Sequence, residues 1–200
     1  MGRAGRRCQP YWKRITRYPW RRRYPAVKPD LVRSGAVGRD ANETFSNAVV
    51  DGNLVTAAAM QAPSARNQQP WQFVVIDDQT TLAEIPKFMP NAPMAATAPL
   101  AILACGDLSL EKSEGYWVVD CAAATQNMLL AAHALGLGAV WCGVYPREPR
   151  MEGLRRLLDL PENVIAHSLV VLGYPGEQVQ PQDRYRPERV HRNRWAQTGG

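Results

Sequence analysis

Two short polar side chains, Ser64 and Asn67, stand inside Ala62-Pro63-Ser64-Ala65-Arg66-Asn67-Gln68-Gln69-Pro70-Trp71. Proline stiffens this segment at both ends. Asn67 is a compact donor and acceptor, so a loop of this kind can present fixed hydrogen-bonding groups to a polar ligand. Taken alone, Asn67 can equally be an Asx-type loop stabiliser. Near the C-terminus, Arg184 and Arg186 are two apart. In an extended segment both guanidinium groups would point the same way and could share one anion, which Arg suits better than Lys. The alternative is a solvated basic tail.

No constellation in the chain can do bond chemistry unaided. There is no G-x-G-x-x-G, no G-x-x-x-x-G-K-[ST] and no G-x-S-x-G, and no pair of carboxylates stands out for acid–base work. The four cysteines, Cys8, Cys105, Cys121 and Cys142, include no C-x-x-C pair, so no structural zinc site or redox disulfide is expected. Cys105, Cys121 and Cys142 lie in apolar surroundings and read as small hydrophobes. His133 reads as a core or interface histidine. An enzyme built from this chain needs chemistry carried by a cofactor.

The net charge of +6 divides unevenly. Residues 1–30 hold ten Lys/Arg and one acid, Asp30, whereas the remainder holds 14 Lys/Arg against 17 acids, so a basic arm precedes a mildly acidic body. In the arm, Arg21-Arg22-Arg23 with Trp12, Trp20 and Tyr24 could touch phosphates and stack on bases, as in a binder of nucleic acid or an anionic surface. Short basic runs are ordinarily solvated, and nucleic acid is not the expected partner. The domain reading is therefore an irregular Arg/Pro/Trp-rich arm over residues 1–40 and one folded domain over 41–200. No apolar run reaches the roughly 18 residues of a membrane span, and no signal-type segment opens the chain, so a cytoplasmic protein is expected.

The folded part must supply elements that hold these residues still. A helix is expected from Ser46, as its cap, through Met60, with Phe45 and Val50 as a hydrophobic staple. Strands are expected over Trp71–Asp77, Leu100–Cys105, Val140–Tyr145 and Ser168–Tyr174, and helices over Thr81–Phe88 and Pro149–Leu158. Tyr116–Leu135 is the longest helix and is apolar on nearly all sides, which places it in a core or a subunit interface. Gly136 and Gly138 end it. Helices and strands in one layered domain give the α+β class.

Three segments, in order, resemble the nitroreductase family. Ala62–Trp71 matches its P-S-x-x-N-x-Q-P-W signature, Asp120–Gly138 resembles its central helix with a G-L-G ending, and Val140-Trp141-Cys142-Gly143 resembles the strand that passes the flavin. Leu169–Gly173 and Arg184–His191 follow in the family's order, so the resemblance spans residues 45–195. It implies a three-layer α/β/α sandwich with a mixed, mainly antiparallel sheet, dimeric around the long central helix.

It further implies FMN as cofactor and ping-pong transfer of hydride from NAD(P)H, through flavin N5, to an electron-poor acceptor of nitroaromatic or quinone type. Pro63, Ser64, Ala65 and Asn67 would contact the flavin held mainly by the other subunit of a homodimer. Trp141, Cys142 and Gly143 would line its ring, the last two through backbone N–H groups. Trp117 and Asp120 would reach the substrate side of the partner's site, the alternative being a solvated helix start where Asp complements the dipole. Arg184 and Arg186 would meet the FMN phosphate. The family's N-terminal R-[RH]-S-x-[RK] pattern is matched only out of register, by Arg33, Ser34 and Arg39. Two further readings are a flavin-free or repurposed protein of this fold, and the anion binder using the basic arm.

Overall fold

The computed structural model describes residues 52–175 and 182–195. The arm, the Ser46 cap, the Phe45–Val50 staple, Arg33, Ser34 and Arg39 lie outside them. In chain order the main elements are helical residues 52–59 (α1), Trp71–Ile76 (β1), Gln79–Glu84 (α2), Leu100–Asp107 (β2), Tyr116–Ala134 (α3), Gly138–Gly143 (β3), Glu148–Leu157 (α4) and Val164–Gly173 (β4).

The strands form one sheet in the order β1-β2-β4-β3, and all three pairings are antiparallel. β2 is buried at almost every position because helices cover both of its faces. Leu100, Ile102 and Ala104 pack with Val170 and Leu172 under Val55 of α1 and Cys121, Ala124 and Met128 of α3. Ala101, Leu103 and Cys105 point the other way, with Leu169 and Val171, toward Leu82 of α2, Met89 and Leu154 of α4. Alternation by two thus feeds two cores, and the result is the expected three-layer α/β/α sandwich. A continuous apolar run is often a mark of parallel sheets; here two-sided coverage produces it in an antiparallel one.

Local chemistry shifts several boundaries. Asp78 caps α2, accepting from the Thr81 amide at 2.7 Å, so that helix starts two residues before Thr81. Pro86 lacks an N–H, and the chain continues as the 3-10 turn Ile85–Lys87. α3 closes with Leu137 N–H on the Ala132 carbonyl at 2.9 Å and Gly136 N–H on the His133 carbonyl at 3.0 Å. Gly136 takes φ 75°, the left-handed backbone that such a cap requires. β3 begins at Gly138 and β4 at Val164, both earlier than apolar patterning suggests. The polar pair His167-Ser168 hid the first part of β4. Among the described residues no helix is long and apolar enough to cross a membrane.

Candidate active site

The Pro63–Gln69 loop is wound tightly. Asn67 N–H donates to the Ser64 carbonyl at 3.1 Å, and Gln69 N–H donates to Ser64 Oγ at 3.0 Å. Arg66, Asn67 and Gln69 all take positive φ, at 50°, 53° and 49°. Asn tolerates this backbone, but for Arg and Gln it costs about 1–2 kcal/mol each, so surrounding structure must hold the loop. α3 does so. Asp120 accepts the Ala65 amide on Oδ1 at 2.9 Å and the Gln68 Nε2 amide on Oδ2 at 2.7 Å. The Gln68 oxygen accepts from the Lys112 and Ser113 amides at 2.7 and 3.1 Å. Asp120 and Gln68 are buried, whereas Arg66 and Asn67 are turned out to the surface. Asp120 therefore faces the loop, with both oxygens engaged, and is not a solvated helix start.

β3 also packs against α3. Cys142 is buried among the residues under α2 and α4, where desolvation raises its thiol pKa against the opposing pull of Arg150. Its side chain is core, leaving its backbone for any ligand. Cys105 and Cys121 are likewise pushed up to about 12 by burial, as inert core thiols are. Trp141 projects to the α3 side, its ring 6.2 Å from that of His167. At Gly143 an added Cβ would meet no atom of the described residues within 4 Å beyond its chain neighbours, so the backbone there faces open space. Its carbonyl is held by Arg150 Nη1 at 2.6 Å. Among the described strands β3 is paired on one side only.

Trp117 and Asp120 are one turn apart and share the buried face of α3. Trp117 lies against Gly106, where any Cβ would fall 2.3 Å from its ring, and meets Tyr145 edge-on at 5.0 Å. One turn of helix thus braces both the Ser64–Asn67 loop and the residues following Gly143.

Arg184 and Arg186 are exposed and bond within their own segment, to Gln182 Oε1 at 3.4 Å and to the Tyr185 carbonyl at 3.0 Å. No hydrogen bond among the described residues brings them to the loop. The structure adds two residues that sequence reasoning passed over. Gln68 stands at an unspecified position of the P-S-x-x-N-x-Q-P-W signature, so the motif did not mark it. His167 left one trace, a polar pair interrupting an apolar run. A recess of about 370 Å³ between α4 and the start of β4, lined by Met151, Glu152, Arg155 and Ile165, contains none of the expected site residues.

Comparison with known proteins agrees with this architecture. A family model described as the nitroreductase family matches residues 87–174. A protein of Methanothermobacter thermautotrophicus, provisionally named an NADH dehydrogenase/NAD(P)H nitroreductase, is 51% identical over 138 residues, covering 69% of this chain and 72% of its own. A Bacteroides thetaiotaomicron crystal structure with the same provisional name superposes at a TM-score of 0.69 with 38% identity, over 80% of this chain and 88% of the other. A Desulfovibrio desulfuricans protein, provisionally named a nitroreductase and crystallised in complex with FMN, superposes at 0.61 with 28% identity, over 73% and 85% of the two chains. With half of the aligned residues shared with one relative, and the same layered sheet in solved structures, the chain belongs to the nitroreductase family of oxidoreductases.

Proposed function

We propose that the protein is an FMN-dependent NAD(P)H oxidoreductase that reduces an electron-poor acceptor of nitroaromatic or quinone type and works as a homodimer. The observation that carries this reading is the loop of three left-handed residues, fixed by Asp120 and Gln68, that turns Asn67 outward. Strained backbone of this kind clusters at active sites and ligand clamps.

The residues present fit a flavin. Open space at Gly143 leaves room for a planar ring, and the outer edge of β3 offers backbone groups beside it. Bound FMN would supply the two-electron chemistry. The chain would supply orientation and a dry surround. Asn67 and Ser64 would hold polar edges of the ring system, and the Cys142 and Gly143 amides would face its centre. Arg184 and Arg186 would meet the phosphate; among the described residues neither is in an ion pair with an acid. NAD(P)H use and FMN binding, stated in the names of the relatives, are carried to this chain as part of the proposal.

The homodimer is supported by α3, whose outer face leaves Tyr116, Val119 and Leu130 more than half exposed. Tyr185, Val190 and Trp195 of the C-terminal segment are also exposed, an apolar surface that suits a second subunit.

The test is the absorption spectrum of the purified protein, followed by FMN titration of the wild type and Asn67→Ala. A flavin band and FMN affinity weakened about five-fold by the substitution, equivalent to one hydrogen bond of about 1 kcal/mol, are expected. A colourless protein with no affinity for FMN refutes the reading.

A further inference from the structure

β4 carries one residue more than β2 at one point. Ala104 pairs with Ser168 and Cys105 with Ala166, so His167 is the extra residue of a β-bulge. In a regular strand two consecutive side chains face opposite sides. Here both turn toward α3: the His167 ring lies 6.0 Å from Trp117, and Ser168 Oγ lies 2.7 Å from Thr125 Oγ1. Bulges commonly re-aim a side chain in this way. This one sits opposite the end of β3, since Ser168 is the ladder partner of Gly143 and Tyr145 N–H donates to the His167 carbonyl at 3.0 Å.

His167 is buried and is the common neighbour of three rings. Trp117 meets it edge-on, Trp141 lies tilted at 6.2 Å and 52°, and Tyr145 is nearly parallel to it at 6.5 Å and 14°. Trp117 is sealed in the core, but Trp141 and Tyr145 are 37% and 39% exposed. These two flank Gly143 in sequence, where the backbone faces open space.

The imidazole is itself held. Thr125 Oγ1 donates to the Cys121 carbonyl at 2.7 Å, and a hydroxyl has one proton to give. Ser168 Oγ lies between Thr125 Oγ1 at 2.7 Å and His167 Nδ1 at 3.2 Å, so one polar chain ties the imidazole to α3. Burial favours the neutral form of the ring, and a backbone hydrogen bond at Val118 opposes it.

We propose that His167 is a positioning residue for the acceptor: anchored through Ser168 and Thr125 to α3, it holds the Trp141 and Tyr145 rings as one wall bordering the flavin's place at Gly143, against which a planar aromatic acceptor packs when it stacks on the flavin. The proposal rests on the flavin reading above. His167 itself lies behind the wall and acts through it.

The test uses the protein as purified, with His167→Phe, which keeps a ring and loses the polar chain, and Ser168→Ala, which keeps the imidazole and frees it. Ser168→Ala removes one hydroxyl and no ring, so it serves if His167→Phe does not fold. Two acceptors are compared under NAD(P)H: menadione, a planar naphthoquinone, and ferricyanide, which takes electrons without stacking. The ratio of the menadione KM to the ferricyanide KM should rise about three- to ten-fold in each variant, the scale of one aromatic contact. A second readout needs no turnover: quenching of tryptophan fluorescence by menadione should require a correspondingly higher concentration.

An unchanged KM ratio together with unchanged quenching overturns the proposal, as does an equal loss with both acceptors, which would mark a merely structural histidine. A wild-type protein without flavin or activity removes the flavin reading instead. The quenching titration then decides the wall by itself: variants that quench like the wild type overturn it.

Discussion

The Asp120 carboxylate accepts the Ala65 amide at 2.9 Å, joining the middle of the chain to a loop 55 positions earlier. Its second oxygen takes the Gln68 side chain at 2.7 Å. This one buried group adds to the loop's own hydrogen bonds in holding three left-handed residues. Asp120→Ala should destabilise the fold by about 3 kcal/mol, because it leaves the part-buried Ala65 amide and the buried Gln68 Nε2 without their partner. Urea unfolding measures this, and flavin affinity should fall with it. A variant as stable as wild type would show that the loop is held by something else.

Two glycines should respond in opposite ways to the same change. At Gly106 a Cβ would collide with the Trp117 ring at 2.3 Å, so Gly106→Ala should cost about 1–3 kcal/mol in thermal or urea unfolding as Trp117 is displaced. At Gly143 a Cβ meets nothing, so Gly143→Ala should leave stability within about 0.5 kcal/mol of wild type while weakening FMN binding. Unaltered FMN affinity in Gly143→Ala would place the flavin elsewhere.

His167 makes stability depend on pH with a definite sign. Burial lowers its pKa from 6.5 to about 4, against the opposing pull of a backbone hydrogen bond at Val118. Between those values the unfolded chain binds a proton that the folded protein refuses. Stability should therefore fall as the pH drops from about 6.5 to about 4, by up to about 3 kcal/mol, and change no further from this group below that. The difference between wild type and His167→Phe across a pH series of urea unfolding isolates it from the carboxylates. A difference that stays flat over the window would contradict the buried neutral ring.

The outer stripe of α3 should be a subunit contact. Val119→Glu with Leu130→Glu places two charges on side chains that are 63% and 60% exposed, at little cost to the single chain. Obligate interfaces commonly bury more than about 2,000 Å², and two charges in such an area should dissociate the dimer at micromolar concentration. Sedimentation velocity distinguishes the states. A wild type that sediments as a monomer would remove the homodimer from the proposal.

Much of the framework was legible in the residues themselves. The apolar runs that became β1 and β2, the long helix at Tyr116–Ala134 and its glycine stop follow from patterning and capping, which act over a few neighbouring positions. The Pro63–Trp71 motif pointed to a binding loop through its resemblance to the family signature; its residue types alone left an Asx-type loop stabiliser open. Asp120 shows where such reasoning ends. From the sequence it was a residue near a helix start, facing either a substrate or water; only the packing of α3 against the loop gave its two oxygens their partners. Cys142 kept its place in the strand, but the sheet's alternation turned its thiol into the core. His167 was invisible for the same reason. A bulge exists only in the register between two strands, here β2 and β4, and no property of His167 and Ser168 alone says that both will face one helix. Local chemistry determined which elements form; the meeting of residues far apart in sequence decided what each polar side chain does.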